Sequence, residues 1–135
     1  MNEPRIGDRL PDLERPLGIV DLVMYAAATW DWYRWHYDAT AAADAHLPGP
    51  LVDGQMLGAL LARHALEWAG PRARIRRMRF RFASMVFAGD VVRCESTVTA
   101  VTRRPGGLEV SLAQRVLVGE RAAIDEATCD LEIAS

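Results

Sequence analysis

An aspartate and a histidine five residues apart, Asp31 and His36, lie in the most aromatic stretch of the chain, Thr29-Trp30-Asp31-Trp32-Tyr33-Arg34-Trp35-His36-Tyr37-Asp38. Five of the ten aromatic residues fall within it. A carboxylate beside an imidazole suits general acid–base work near neutral pH. Apolar rings around such a pair would exclude water and favour the neutral carboxyl, whereas Arg34 would favour the charged one. On one continuous helix the two side chains would point about 140° apart. A functional pair therefore requires a bend in the backbone between them. The residues alone leave a second reading open, in which the rings are core or interface packing and Asp31 only caps a helix.

A second element is Gly49-Pro50-Leu51-Val52-Asp53-Gly54-Gln55. A glycine in the first turn of a buried helix exposes N–H groups that have no intrahelical acceptor. With the helix dipole, they can hold negative charge developing on a carbonyl oxygen. Equally, Asp-Gly at a helix start is common as a purely structural feature.

These groups need elements to position them. Residues 1–18, with Pro4, Pro11 and Pro16, read as an extended lead-in with room for one short strand. Val20, Val23, Met24 and Ala27 recur at helical spacing within Ile19–Thr29. Ala39–Ala45 is another short helix, and His46-Leu47-Pro48-Gly49-Pro50 is a loop. The strongest helix runs over Asp53–Ala69, with Asp53 as N-cap, Gly70-Pro71 as the stop, and a stripe of Leu57, Leu60, Leu61, His64 and Trp68. The small residues Gly54, Gly58, Ala59, Ala62 and Ala65 would let it lie close to a neighbouring surface.

After Pro71 the period becomes two. Met78, Phe80 and Phe82 alternate with Arg77, Arg79 and Arg81, and Val92, Cys94, Ser96, Val98 and Ala100 continue the alternation. Leu108, Val110, Leu112, Val116 and Val118 form a third strand, and Ala123, Ala127, Cys129, Leu131 and Ile133 a fourth. The pattern predicts an α+β fold: a four-strand antiparallel meander with one apolar face, curved around helix 53–69.

Composition narrows the functions. With 135 residues the chain suits one domain, 1–135. All 16 basic residues are Arg, so Schiff-base lysine chemistry and any lysine-dependent phosphate loop are excluded. A net charge of −2 argues against general nucleic-acid binding. No apolar run approaches the ~20 residues of a membrane span. Met1-Asn2-Glu3-Pro4-Arg5 shows no secretory signal, so a cytoplasmic location is expected. Cys94 and Cys129 are too few for a disulfide framework or zinc site and read as reduced core thiols.

Asp31 and His36, followed by a glycine-led helix start, resemble the MaoC-like (R)-specific enoyl-CoA hydratases and acyl dehydratases, whose motif is Asp-x-Asn-Pro-x-His. Arg34-Trp35-His36-Tyr37-Asp38 is similar to an Arg-x-His-x-Asp variant of related dehydratases. Tyr33-Arg34 replaces Asn-Pro, and Asp53 stands where the family often has His. The resemblance implies a hot-dog fold, with an antiparallel sheet wrapped around a long central helix. It also implies reversible hydration of a trans-2-enoyl thioester, a step of lipid metabolism, carried on coenzyme A or a carrier protein. Asp31 and His36 would hold the water, and the Gly54 N–H would bind the thioester oxygen. Trp30, Trp32, Tyr33, Trp35, Val52 and Asp53 would contact substrate. No metal or redox cofactor is implied. The expected partner is a second hot-dog subunit, in a homodimer or heteromer; no nucleic acid or membrane is expected.

Three alternatives remain from sequence. A hot-dog thioesterase needs a carboxylate on the central helix, where Glu67 is the one interior acid. A cone-type α+β dehydratase or cyclase would place helices beneath the sheet. A binding subunit of a heteromeric hydratase would use the aromatic cluster only as an interface. Of the remaining residues, His64 reads as structural and His46 as solvated. Arg72, Arg74, Arg76, Arg77, Arg79 and Arg81 could meet phosphates or an acidic carrier, but for most of them a solvated strand face is the simpler account.

Overall fold

Residues 3–135 are described by a computed structural model, in which helix boundaries fall where neighbouring groups can cap them. Helix α1 (Ile19–Thr29) opens at Gly18, whose N–H donates to Asp21 Oδ2 at 2.9 Å. That bond, followed by the Arg15 guanidinium, lowers the Asp21 pKa below the usual carboxylate value. Helix α1 ends at Trp30, a non-glycine residue in the left-handed region with φ 58°. Helix α2 (Ala39–Asp44) is capped by the Asp38 carboxylate, which accepts from Thr40 and Ala41 N–H at 3.0 and 3.1 Å. Helix α3 (Gly54–Ala69) is capped by Asp53 as expected, Oδ1 accepting from Gln55 N–H at 2.8 Å.

Five strands, β1 (Leu13–Pro16), β2 (Ala73–Phe82), β3 (Val91–Arg104), β4 (Gly107–Val118) and β5 (Arg121–Ala134), form one antiparallel sheet ordered β1-β3-β4-β5-β2. This corrects the expected meander. Strands β3, β4 and β5 follow in sequence, but β2 lies at the far edge against β5, with Met78 opposite Cys129. The reason is the link 83–90, which is no tight hairpin. It carries the chain across the fold and bonds on its way to Ala123, Pro50, Val52 and Leu17. The alternation is also interrupted. A register shift between Val98 and Ala100 lets Val101 take the core-facing place expected of Ala100.

The sheet curves around α3, as expected for the hot-dog arrangement, and the alternative with helices lining a pocket beneath the sheet does not fit this topology. Leu57, Leu60 and Leu61 meet Val92, Cys94, Val116 and Ile124 in the core. Burying each leucine contributes about 1.5–3 kcal/mol. Close approach to β2 depends on two glycines one helical turn apart. A Cβ on Gly54 or Gly58 would fall 2.5 Å from the ring of Phe82 or Phe80 respectively. Among the described residues, no helix is long and apolar enough to cross a membrane.

Inside the core, His64 is only 4% exposed and both ring nitrogens are engaged. The Pro11 carbonyl can only accept, so Nε2 carries the proton and donates to it at 2.8 Å. Nδ1 then accepts from the Ser96 hydroxyl at 3.1 Å, and Gln114 Nε2 donates to Ser96 Oγ at 3.0 Å. The histidine ties the N-terminal lead-in to the centre of the sheet.

Both cysteines are free and buried. Desolvation pushes the Cys94 thiol up to about 12; it pushes Cys129 to about 11, with Asp130 adding to the rise. Iodoacetamide at pH 8 is therefore expected to label neither thiol in the native protein and both in urea, as read by intact mass. The unfolded thiols release their protons first as pH rises past 9. Their contribution to stability is complete below that pH and is lost as pH climbs toward 11–12.

Candidate active site

The bend that the Asp31–His36 pair requires is built from three local devices. Trp30 turns the chain out of α1 through its left-handed conformation. Asp31 Oδ1 then accepts the Tyr33 N–H at 3.2 Å, closing a side-chain turn. A single 3-10 turn, Arg34–His36, follows, with the His36 N–H donating to the Tyr33 carbonyl at 3.0 Å. The result brings donor atoms of Asp31, His36 and Asp53 within 4.8 Å of one another. Among the described residues, these three are the side chains whose ligand atoms converge closely enough to hold a metal ion.

The imidazole is fixed by main chain. His36 Nδ1 lies 2.7 Å from the Leu51 carbonyl oxygen, which can only accept, so Nδ1 carries the proton and Nε2 keeps its lone pair. Leu51 is itself held, its N–H donating to the Trp35 carbonyl at 2.7 Å. The next residue, Val52, donates to Val86 at 2.8 Å, and Leu51 bridges to Phe87. The link 83–90 thus supports the segment that orients the histidine.

At the start of α3, Asp53 engages the first turn twice. Its carboxylate takes the Gln55 N–H, and its carbonyl takes the Met56 N–H at 3.0 Å. The Gly54 N–H has no acceptor among the described residues and stays available at the positive end of the helix.

Asp31, His36 and Asp53 line a narrow crevice with Leu22, Tyr25, Ala26 and Met56. Of the expected substrate contacts, only Asp53 is in its wall. Val52 is buried in the core. Trp30 is 81% exposed, and Trp32 and Tyr33 are exposed as well. Trp32 packs edge-on against Trp30 and Tyr37, and Tyr33 packs at a tilt against Trp35 and edge-on against His36. In the single chain these rings do not enclose the carboxylate: Asp31 is exposed. Arg34 is turned away from it, bonding Asp38 at 2.5 Å and lowering the Asp38 pKa. Asp38 of the Arg-x-His-x-Asp segment is thus occupied in capping and ion pairing.

Sequence reasoning missed Tyr25 and Met56. The available signal was helical spacing: Tyr25 and Ala26 lie three and four residues after Leu22, on one face of α1. Of the other candidates, Glu67 is exposed and bonds Arg63 at 2.7 Å on the solvent side of α3, away from the crevice. Arg74 and Arg76 share Glu132 across the sheet edge.

A family model described as MaoC like domain matches residues 2–120. No curated protein matches the chain. Among solved structures, the chain is similar to one in the ChsH1-ChsH2 complex from Mycobacterium tuberculosis, with TM-score 0.81 and 26% identity over 97% of this chain and 99% of that one. It is similar to the (R)-hydratase from A. caviae involved in PHA biosynthesis, with TM-score 0.87 and 23% identity over 98% and 99% of the two chains. The unliganded R-hydratase PhaJ1 from Pseudomonas aeruginosa gives TM-score 0.87 and 23% identity over 98% and 84%. At these identities the two hydratases speak for the fold.

Proposed function

We propose, from the premise that this chain belongs to the family of MaoC-like dehydratase domains, that it is a hydro-lyase adding water reversibly to a trans-2-enoyl thioester. The observation that carries the reading is the convergence of Asp31 and His36 beside the helix that begins at Gly54. In the tautomer fixed by Leu51, Nε2 takes a proton from water while Asp31 accepts the other hydrogen and aligns it. The water oxygen bonds to C3, the π pair moves toward the thioester oxygen, and the Gly54 N–H receives the developing charge. The imidazolium then returns its proton to C2, so no net proton is gained or lost.

The test is a panel of enoyl thioesters, on coenzyme A and on a carrier protein, followed by loss of enone absorbance. Turnover of a crotonyl-type thioester supports the reading. Absence of turnover across the panel, with and without neighbouring gene products co-expressed, would sink it. Release of free thiol without hydration would move it to the thioesterase alternative, which the solvent-facing Glu67 disfavours.

The partner in this reading is a second hot-dog subunit, either another copy or a different chain. Its support is the edge of β2 that no strand covers among the described residues, together with the exposed Trp30, Trp32 and Tyr33. The same rings favour a second reading, a binding subunit of a heteromeric hydratase. Tryptophan fluorescence that shifts to the blue on adding the partner, in a chain with no turnover of its own, would select it.

A further inference from the structure

An oxyanion has room for more than one hydrogen bond, and the start of α3 supplies one. The Gln55 and Met56 N–H groups are already taken by Asp53, which leaves Gly54 alone. Within this chain, the crevice wall is where a second, side-chain donor would stand. Asp31 and Asp53 are acceptors there, and His36 Nε2 is an acceptor in the tautomer that Leu51 imposes. Leu22, Ala26 and Met56 have no donor to offer. Tyr25 does.

Its ring lines the crevice with the three polar groups and projects from α1 beside the buried Leu22 and Ala26, which fix its backbone. The Tyr25 carbonyl accepts the Thr29 hydroxyl at 2.8 Å, yet its own hydroxyl finds no partner among the described residues. Burial raises the phenol's pKa above its ordinary value, and the charges of Asp53 and then Asp31 raise it further. The group therefore stays protonated at neutral pH and can act as a donor.

We propose that Tyr25 is a catalytic residue of the hydration, its hydroxyl donating a second hydrogen bond to the thioester oxygen in addition to that from the Gly54 N–H. The inference rests on the hydratase reading above. It adds no covalent step: the phenol keeps its proton throughout and only shares it with the oxygen as charge develops. It also offsets the Asp53 carboxylate, which otherwise faces that charge from the same wall.

The experiment is Tyr25→Phe, which removes one oxygen and keeps the ring. Expected is a fall in kcat of about 10²-fold, the effect of losing one oxyanion donor, with KM little changed and the melting temperature intact. The loss is expected to be uniform from pH 6 to 9, because the donor is the protonated phenol throughout. A kcat within threefold of wild type, or a loss confined to KM, overturns the proposal. Should the variant fold poorly, 3-fluorotyrosine at position 25 keeps the donor. It should then turn over near the wild-type rate, with an alkaline limb moved to lower pH; an unmoved limb counts against the proposal. A wild-type chain inactive on every enoyl thioester overturns the hydratase reading and this inference together. An active wild type with an unimpaired Tyr25→Phe variant overturns the hydroxyl's role alone.

Discussion

Replacing His36 by alanine is expected to lower kcat for a crotonyl-type thioester by about 10²–10⁴-fold, the range lost with a general acid–base group. Alanine also leaves the Leu51 carbonyl without its donor, so lost activity alone would not separate chemistry from a loosened loop. His36→Asn does separate them. Its amide nitrogen can occupy the place of Nδ1 and keep the bond to Leu51, while nothing replaces Nε2. The asparagine variant should be as inactive as the alanine variant and should melt nearer the wild type. Asp31→Asn should lose activity over the same range, because the amide keeps an acceptor for the Tyr33 N–H but presents no carboxylate to the water. Near-wild-type turnover in purified His36→Asn or Asp31→Asn would refute the assignment of the pair.

The second large effect concerns a main-chain group, which ordinary side-chain replacement cannot remove. Gly54 is the first residue of α3, a position where proline is well tolerated and deletes only the N–H. The residue before it is already suitable, since Asp53 has ψ 127°, in the extended range that proline demands of its predecessor. The obstacle is Phe82, whose ring stands 2.5 Å from any Cβ at position 54. Two double variants address this. Gly54→Ala with Phe82→Ala keeps the N–H and opens the space; Gly54→Pro with Phe82→Ala opens the same space and removes the N–H. The proline pair should be slower in kcat than the alanine pair by about 10²–10³-fold, the usual worth of one oxyanion donor. Equal rates in the two would show that the amide does not touch the reacting oxygen.

How much of this was legible depended on the range of the interaction concerned. The helix of Asp53–Ala69 was readable to within a residue because its cap, stripe and stop are all local. The inner faces of the strands were readable until a bulge intervened, as at Val98–Ala100, where one extra residue changes which side chains face inward. The place of β2 against β5 was not readable, because period-two patterning identifies a strand without naming its neighbour. At the candidate site the spacing of Asp31 and His36 revealed that a bend was needed, but not its means. The left-handed Trp30 and the Leu51 carbonyl leave no mark in residue type. The aromatic cluster was conspicuous as composition, yet most of its rings face solvent in the single chain, and Tyr25, a lone phenol on an apolar helix, was passed over.

One detail of the crevice bears on how such a protein could be altered. The proton on His36 is assigned by a peptide carbonyl, and that carbonyl's own position is secured by other peptide groups at Trp35, Val86 and Phe87. Among the described residues, no side-chain hydrogen bond sets the ring's tautomer. Met56, which lines the crevice and takes no part in holding the ring, is therefore open to replacement by residues of another size or polarity without disturbing the imidazole.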